Sequence, residues 1–163
     1  MSITLFSYGS NMLTARLRGR APSAVILGTG VLKNHALRWH KVARDFSGKC
    51  DAAFTGEAAD VVWGVLARIS LADRIKLDMI EGVGAGYDVA IGDIETNRGV
   101  IQAQFYSATA IDSVLEPYDW YKTLVIAGAR EHGLPADYIA ALTAAKAKPD
   151  PDKIRAARNL ASL

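Results

Sequence analysis

Cysteine is nearly absent: Cys50 is the only one in 163 residues. A single thiol closes no intramolecular disulfide and cannot build a cysteine-based zinc site. A reducing compartment suits such a chain. Long apolar runs are missing as well, none approaching the ~20 residues that a membrane-spanning helix needs. The opening Met1-Ser2-Ile3-Thr4-Leu5-Phe6 has no basic stretch followed by a long apolar segment, so no secretory signal is expected. Charge of one sign is scarce, with 19 basic residues against 17 acidic ones and a net charge of +2. The densest basic cluster, Arg16, Arg18 and Arg20, has no interleaved aromatics, so it is expected to be a solvated helix face rather than a nucleic-acid contact. Histidine is confined to His35, His40 and His132, which lack metal-ligand spacing. Gly28-Thr29-Gly30 lacks the third glycine and the following helix of a dinucleotide fingerprint. These absences predict a cytoplasmic protein with no metal, no membrane contact and no nucleic-acid partner. Its association is left open between monomer and homodimer.

What is present fits a globular chain, with 50% hydrophobic and 22% charged residues. Ile3 to Ser7 is short, apolar and β-compatible, and it ends at Tyr8-Gly9-Ser10-Asn11. Met12, Leu13 and Leu17 then have helical spacing, with Ser10 or Asn11 as the expected N-cap. Two strand-like runs occupy Val25–Leu32 and Ala36–His40, and a loop with at most one short strand is expected over 44–57. Asp60 to Ile69 is the clearest strand, where Gly64 marks a bulge or a close approach. Leu71 to Glu81 is predicted to be a helix stopped by Gly82 and the glycine-rich turn Val83-Gly84-Ala85-Gly86. A hairpin is expected over Tyr87–Glu95 and Gly99–Tyr106, then a helix from Pro117 or Asp119 to His132, and another over Ala136–Lys148. Strands first and helices last, without βαβ alternation, indicate an α+β class with a curved, mostly antiparallel sheet. No repeat or linker divides the chain, so residues 1–148 are expected to form one domain. Residues 149–163 are then a tail or a short helix.

Two places combine residue types that chemistry uses. Glu81 closes its helix beside Leu77 and Ile80, at the end where the backbone dipole is negative. Partial burial and the dipole both penalise its charged form, which suits a group that must take a proton and return it near neutral pH. Tyr8-Gly9-Ser10-Asn11 is a strand-to-helix turn that can gather backbone N–H groups into an anion-binding concavity. It lacks the Lys-Ser/Thr ending of a phosphate loop. By position alone, a solvated helix end is the commoner reading of Glu81 and an ordinary capped turn that of Tyr8–Asn11. Cys50 has no nucleophile signature, and Trp39, Trp63 and Trp120 suit core or pocket walls.

Four blocks in order resemble the γ-glutamylcyclotransferase family. They are Phe6-Ser7-Tyr8-Gly9-Ser10-Asn11-Met12, Val62-Trp63-Gly64-Val65-Leu66, Leu77-Asp78-Met79-Ile80-Glu81-Gly82 with Tyr87, and Pro117 with Tyr121 followed by Gly128 to Pro135. They span roughly residues 3 to 135. The resemblance implies a curved sheet or small mixed barrel with flanking helices. It implies cyclisation of a γ-glutamyl amine or amino acid to 5-oxoproline, an intramolecular acyl transfer that needs no cofactor. Glu81 would be the general base and then acid. Tyr8, Gly9, Ser10, Asn11, Tyr87 and Tyr121 would bind the small γ-glutamyl substrate, the tyrosines bonding either substrate or Glu81. Glutathione-degrading relatives usually carry Tyr-Gly-Ser-Leu and γ-glutamylamine enzymes Tyr-Gly-Thr-Leu, so Asn11 is nearer the γ-glutamyl-amino-acid branch. A γ-glutamyl hydrolase or acyltransferase on the same fold, or a binding module without turnover, stands as the alternative.

Overall fold

The computed structural model describes all 163 residues. Seven strands and five helices follow in chain order: β1 (Ser2–Ser7), α1 (Thr14–Arg20), β2 (Val25–Lys33), β3 (His35–Val42), β4 (Gly48–Phe54), β5 (Val61–Ser70), α2 (Leu71–Glu81), β6 (Tyr87–Thr96), β7 (Gly99–Ala108), α3 (Asp119–Glu131), α4 (Ala136–Ala144) and α5 (Lys153–Leu160). A one-turn 3-10 helix, Ser10–Met12, lies between β1 and α1. Five strands close a barrel in the order β1-β5-β2-β6-β7, and β3 and β4 form a separate ribbon. All its ladders are antiparallel except the closure, where β7 meets β1 in parallel at Leu5 and Gln104. The architecture is thus α+β, a small mixed barrel with flanking helices. No helix is long and apolar enough to cross a membrane.

β5 is the central strand, paired with β1 on one side and β2 on the other. Its run Val62, Val65, Leu66, Ala67 and Ile69 is buried, as a strand covered on both faces requires. Gly64 sits where a methyl would stand 2.5 Å from the Ser7 carbonyl oxygen and 2.6 Å from the Phe6 ring, so it marks a close approach. The bulge falls instead in β2, between Ile26 and Gly28.

α3 buries Trp120, Leu124 and Gly128 along one ridge and Tyr121, Val125 and Ala129 along the next, the i, i+4 pattern of a helix packed on a core. Its Gly128 admits the first turn of the chain: a Cβ there would lie 2.5 Å from the Leu13 nitrogen. α2 begins at a Ser70 cap that accepts from the Asp73 N–H. It ends at Gly82, whose φ of 75° is the left-handed stop that glycine takes at least strain. One apolar cluster fills the barrel and the α3 side. A second, with Leu5, Leu17, Leu77, Tyr87 and Tyr106, lies under α1 and α2. A cleft opens where the two clusters meet, since Tyr8, Cys50 and Tyr121 from the first and Tyr87 and Tyr106 from the second all line it.

Candidate functional site

The cleft has a volume of about 290 Å³ and is lined by Tyr8, Gly9, Ser10, Asn11, Glu81, Tyr87 and Tyr121. These residues come from the β1–α1 connection, the end of α2, the start of β6 and the first turn of α3, so only the closed fold brings them together. Leu77, one turn before Glu81, is fully buried and anchors that side of α2. The Glu81 side chain, 17% exposed, emerges beside it into the cleft.

The two oxygens of Glu81 differ. Oε1 accepts from Asn11 Nδ2 at 2.9 Å and from Arg20 Nη1 at 3.0 Å. Arg20 Nη1 also donates to Asn11 Oδ1 at 3.0 Å, closing a three-residue ring. All of the protein's hydrogen bonds to this carboxylate go to Oε1, which leaves Oε2 for the cleft. Arg20 is thus the ion-pair partner of this carboxylate.

The Tyr8–Asn11 segment departs from the expected capped turn. The N-cap of α1 is Leu13, with no side-chain cap bond, so neither Ser10 nor Asn11 caps the helix. The Asn11 amide goes to Glu81 and Arg20, and Ser10 Oγ accepts from Arg16 Nε at 3.1 Å. The Met12 and Leu13 N–H groups bond back to the Gly9 and Ser10 carbonyls, while the Gly9 N–H donates to no group of the protein.

Three tyrosines form a neutral wall. The Tyr8 hydroxyl donates to the Tyr106 carbonyl, the Tyr87 hydroxyl to the Cys50 carbonyl, and Tyr121 Oη accepts from the Cys50 N–H at 3.1 Å. None bonds to Glu81. Burial raises all three hydroxyls well above the ordinary tyrosine range. Cys50 is buried among them, and burial pushes its thiol up to about 12, which suits an inert side chain.

The basic cluster is the main correction. Arg16 and Arg20 are not a solvated face: both line the cleft, and Arg18 alone turns away, its Nε donating to the Ala24 carbonyl at 3.3 Å. The i, i+4 spacing puts Arg16 and Arg20 on one side of α1. Leu17, fully buried, presses the helix onto the second cluster and leaves that side over the cleft. Lys41, Arg44 and Lys49 line the cleft as well. Sequence reasoning missed all five, and only the Arg16–Arg20 spacing offered a signal.

The charges do not cancel. Arg20 is paired with Glu81, and Lys49 with Asp45 at 3.1 Å. Arg16 meets only neutral acceptors, Ser10 Oγ and, at 3.0 Å, Asn159 Oδ1. Burial first, then the charge of Arg20, brings its pKa down to about 10. Lys41 is 9% exposed and has no hydrogen bond or ion pair; its Nζ lies 4.5 Å from the Tyr87 ring centroid, and burial lowers its pKa. Arg16, Lys41 and the exposed Arg44 therefore line the cleft without an anionic partner, and a ligand carrying carboxylate would supply one. No group of three or more His, Cys, Asp or Glu side chains is arranged to hold a metal ion.

Residues 61–142 match the model of the AIG2-like family. The γ-glutamylcyclotransferase of Bos taurus is 34% identical to the chain over 143 residues, 84% of this chain and 75% of the relative. That of Mus musculus is 35% identical over 142 residues, 82% and 73% of the two chains. A solved structure described as a γ-glutamyl cyclotransferase superposes over 100% of both chains with a TM-score of 0.87 and 27% identity. An uncharacterised protein from Homo sapiens gives a TM-score of 0.80 at 30% identity, covering 90% of this chain and 89% of its own.

Proposed function

The chain belongs to the AIG2-like, γ-glutamylcyclotransferase family, and on that ground we propose that it cyclises a γ-glutamyl compound to 5-oxoproline and releases an amine or amino acid. The relatives that carry this activity in their names support the reaction class. The observation that carries the mechanism is the unequal carboxylate of Glu81, with Oε1 held by Asn11 and Arg20 and Oε2 open to the cleft.

Glu81 Oε2 takes a proton from the substrate α-ammonium. The freed nitrogen attacks the γ-carbonyl carbon, and a tetrahedral oxyanion forms. The bond to the departing nitrogen then breaks as Glu81 returns the proton to it. The surplus proton of the ring nitrogen passes by way of Glu81 to the released amine, which leaves as an ammonium. No water is consumed, and one carboxylate serves twice. The Gly9, Ser10 and Asn11 N–H groups, none with an acceptor in the protein, are the donors offered to the oxyanion. The unpaired charges of Arg16 and Lys41 receive substrate carboxylate, and the tyrosine wall holds the flexible glutamyl chain folded. Holding both ends of an intramolecular reaction in place removes much of the entropic barrier, with effective molarities on the order of 10⁵–10⁸ M.

The experiment compares the protein with its Glu81→Gln variant on γ-glutamyl dipeptides, γ-glutamylamines and glutathione, with 5-oxoproline detected by mass spectrometry. The variant is expected to fold normally and to lose a factor on the order of 10²–10⁴ in turnover, the usual contribution of a general acid/base. Equal turnover by the variant would sink the assignment of Glu81. Glutamate labelled from ¹⁸O water, in place of 5-oxoproline, would make the enzyme a hydrolase.

A further inference from the structure

The last fifteen residues contain a buried ionic clamp and a contact to the cleft. Asp150 is 1% exposed, and it accepts from Trp120 Nε1 at 2.8 Å, from the Asp152 N–H at 2.8 Å, and from Arg155 through Nε and Nη2 at 2.8 and 2.5 Å. The arginine fork also lies over the Tyr118 ring, 5.3 Å from its centroid. Ala156 and Leu160 pack on the main core from the same helix. α5 is thereby held at both ends of its inner face.

One turn beyond Arg155, Asn159 stands on that face. Its Nδ2 donates to the Arg155 carbonyl at 2.9 Å, which turns Oδ1 outward to accept from Arg16 at 3.0 Å. Arg16 is fixed on its other side by Ser10 Oγ, in the turn that follows Gly9. A guanidinium gripped by two neutral acceptors keeps its full charge for a third partner, whereas an acidic grip would neutralise it.

We infer that α5 supports the cleft from behind Arg16 and that Asn159 is a positioning residue: it holds the Arg16 guanidinium where the substrate carboxylate binds, without cancelling its charge. The inference rests on the reading of the cleft as a γ-glutamyl site.

A double-mutant cycle on the whole chain tests it. The KM for γ-glutamyl-L-alanine is followed through 5-oxoproline formation, and the Kd of 5-oxoproline, an anionic probe, by calorimetry. Arg16→Met is expected to raise both by about 10- to 100-fold, the scale of one charge-assisted contact. Asn159→Ala is expected to raise both by about 3- to 10-fold with kcat nearly unchanged, and by less than about twofold once Arg16 is already Met. Asn159→Asp keeps the contact but pairs the charge, so it raises both constants while the melting temperature stays at or above that of the parent. An Asn159→Ala effect that persists in the Arg16→Met background would overturn the inference, as would an Asn159→Asp protein that binds like the parent. A coupled calorimetric cycle without any 5-oxoproline formation would remove the proposed reaction and keep the role of Asn159. An uncoupled cycle in a protein that does form 5-oxoproline would remove the role alone.

Discussion

Arg20 donates to both Glu81 and Asn11 through one nitrogen, so it orients the carboxylate and the amide that shares it. Arg20→Met is expected to leave the fold standing and to lower kcat by about 10- to 100-fold, because a base free to rotate is often out of line with the proton it must take. Stopped-assay kcat and KM separate this from a binding defect, since KM should move little. Lys41 makes a different prediction. Burial lowers its pKa below the ordinary lysine value, so its charge is lost earlier as pH rises than that of a solvated lysine. KM for a carboxylate-bearing substrate should be level near neutral pH and climb on the alkaline side, and this climb should be reduced in Lys41→Met. An alkaline climb unchanged in that variant would show that Lys41 does not meet the carboxylate. Glu81 and the Tyr8–Asn11 turn were visible in the sequence because a carboxylate at a helix end and a glycine between polar residues are local oddities. Lys41 was not visible: its burial against Gly86 and the Tyr87 ring joins β3 to the start of β6, and no spacing announces it.

At the scale of elements, boundaries set by local signals came out close to the pattern. α2 runs from Leu71 to Glu81 as its apolar spacing and Gly82 indicate, and the hairpin turns at Asn97 and Arg98 between Thr96 and Gly99. α1 is the instructive failure. Its arginines look solvated when the helix is viewed alone, and its polar N-terminal residues look like caps. Packing reverses both, because Leu17 seats the helix on the second cluster while Ser10 and Asn11 turn their side chains to Arg16 and Glu81. α5 depends on a single buried carboxylate. Asp150→Ala would leave the Trp120 N–H and the Arg155 fork without their acceptor, a loss of about 3 kcal/mol. The measurement is urea unfolding beside amide exchange, with protection lost first in Lys153–Leu160.

For the whole molecule, two carboxylates, Asp150 and Asp73, tie distant segments, and these and the locally bonded Asp45 are all held below the ordinary aspartate range. Arg155 does this for Asp150, outweighing burial; Ser23 does it for Asp73; at Asp45, burial pushes up but Ser47 and Lys49 push down harder. A depressed folded pKa stabilises the protein above the unfolded value and loses that stabilisation as pH falls towards the folded one. The melting temperature should therefore hold from pH 7 to about 5 and fall below about pH 4, where unfolded aspartates take protons. Circular dichroism melts at pH 7, 5, 4 and 3 check this, and an undiminished transition at pH 3 would contradict it.

The sequence by itself determined the α+β class, the ends of most elements and the two segments from which the cleft is built. Those features follow from period, from glycine stops and from helix-end polarity, interactions that reach only a few residues along the chain. The tertiary structure decided the rest: the parallel closure of β7 on β1, the face that α1 turns inward, the grip of Asn11 and Arg20 on one oxygen of Glu81, and the reach of Asn159 to Arg16 across 143 positions. Each of these pairs groups far apart in sequence, and a pairing of that kind is selected by which apolar surfaces must be covered together, which no local pattern encodes.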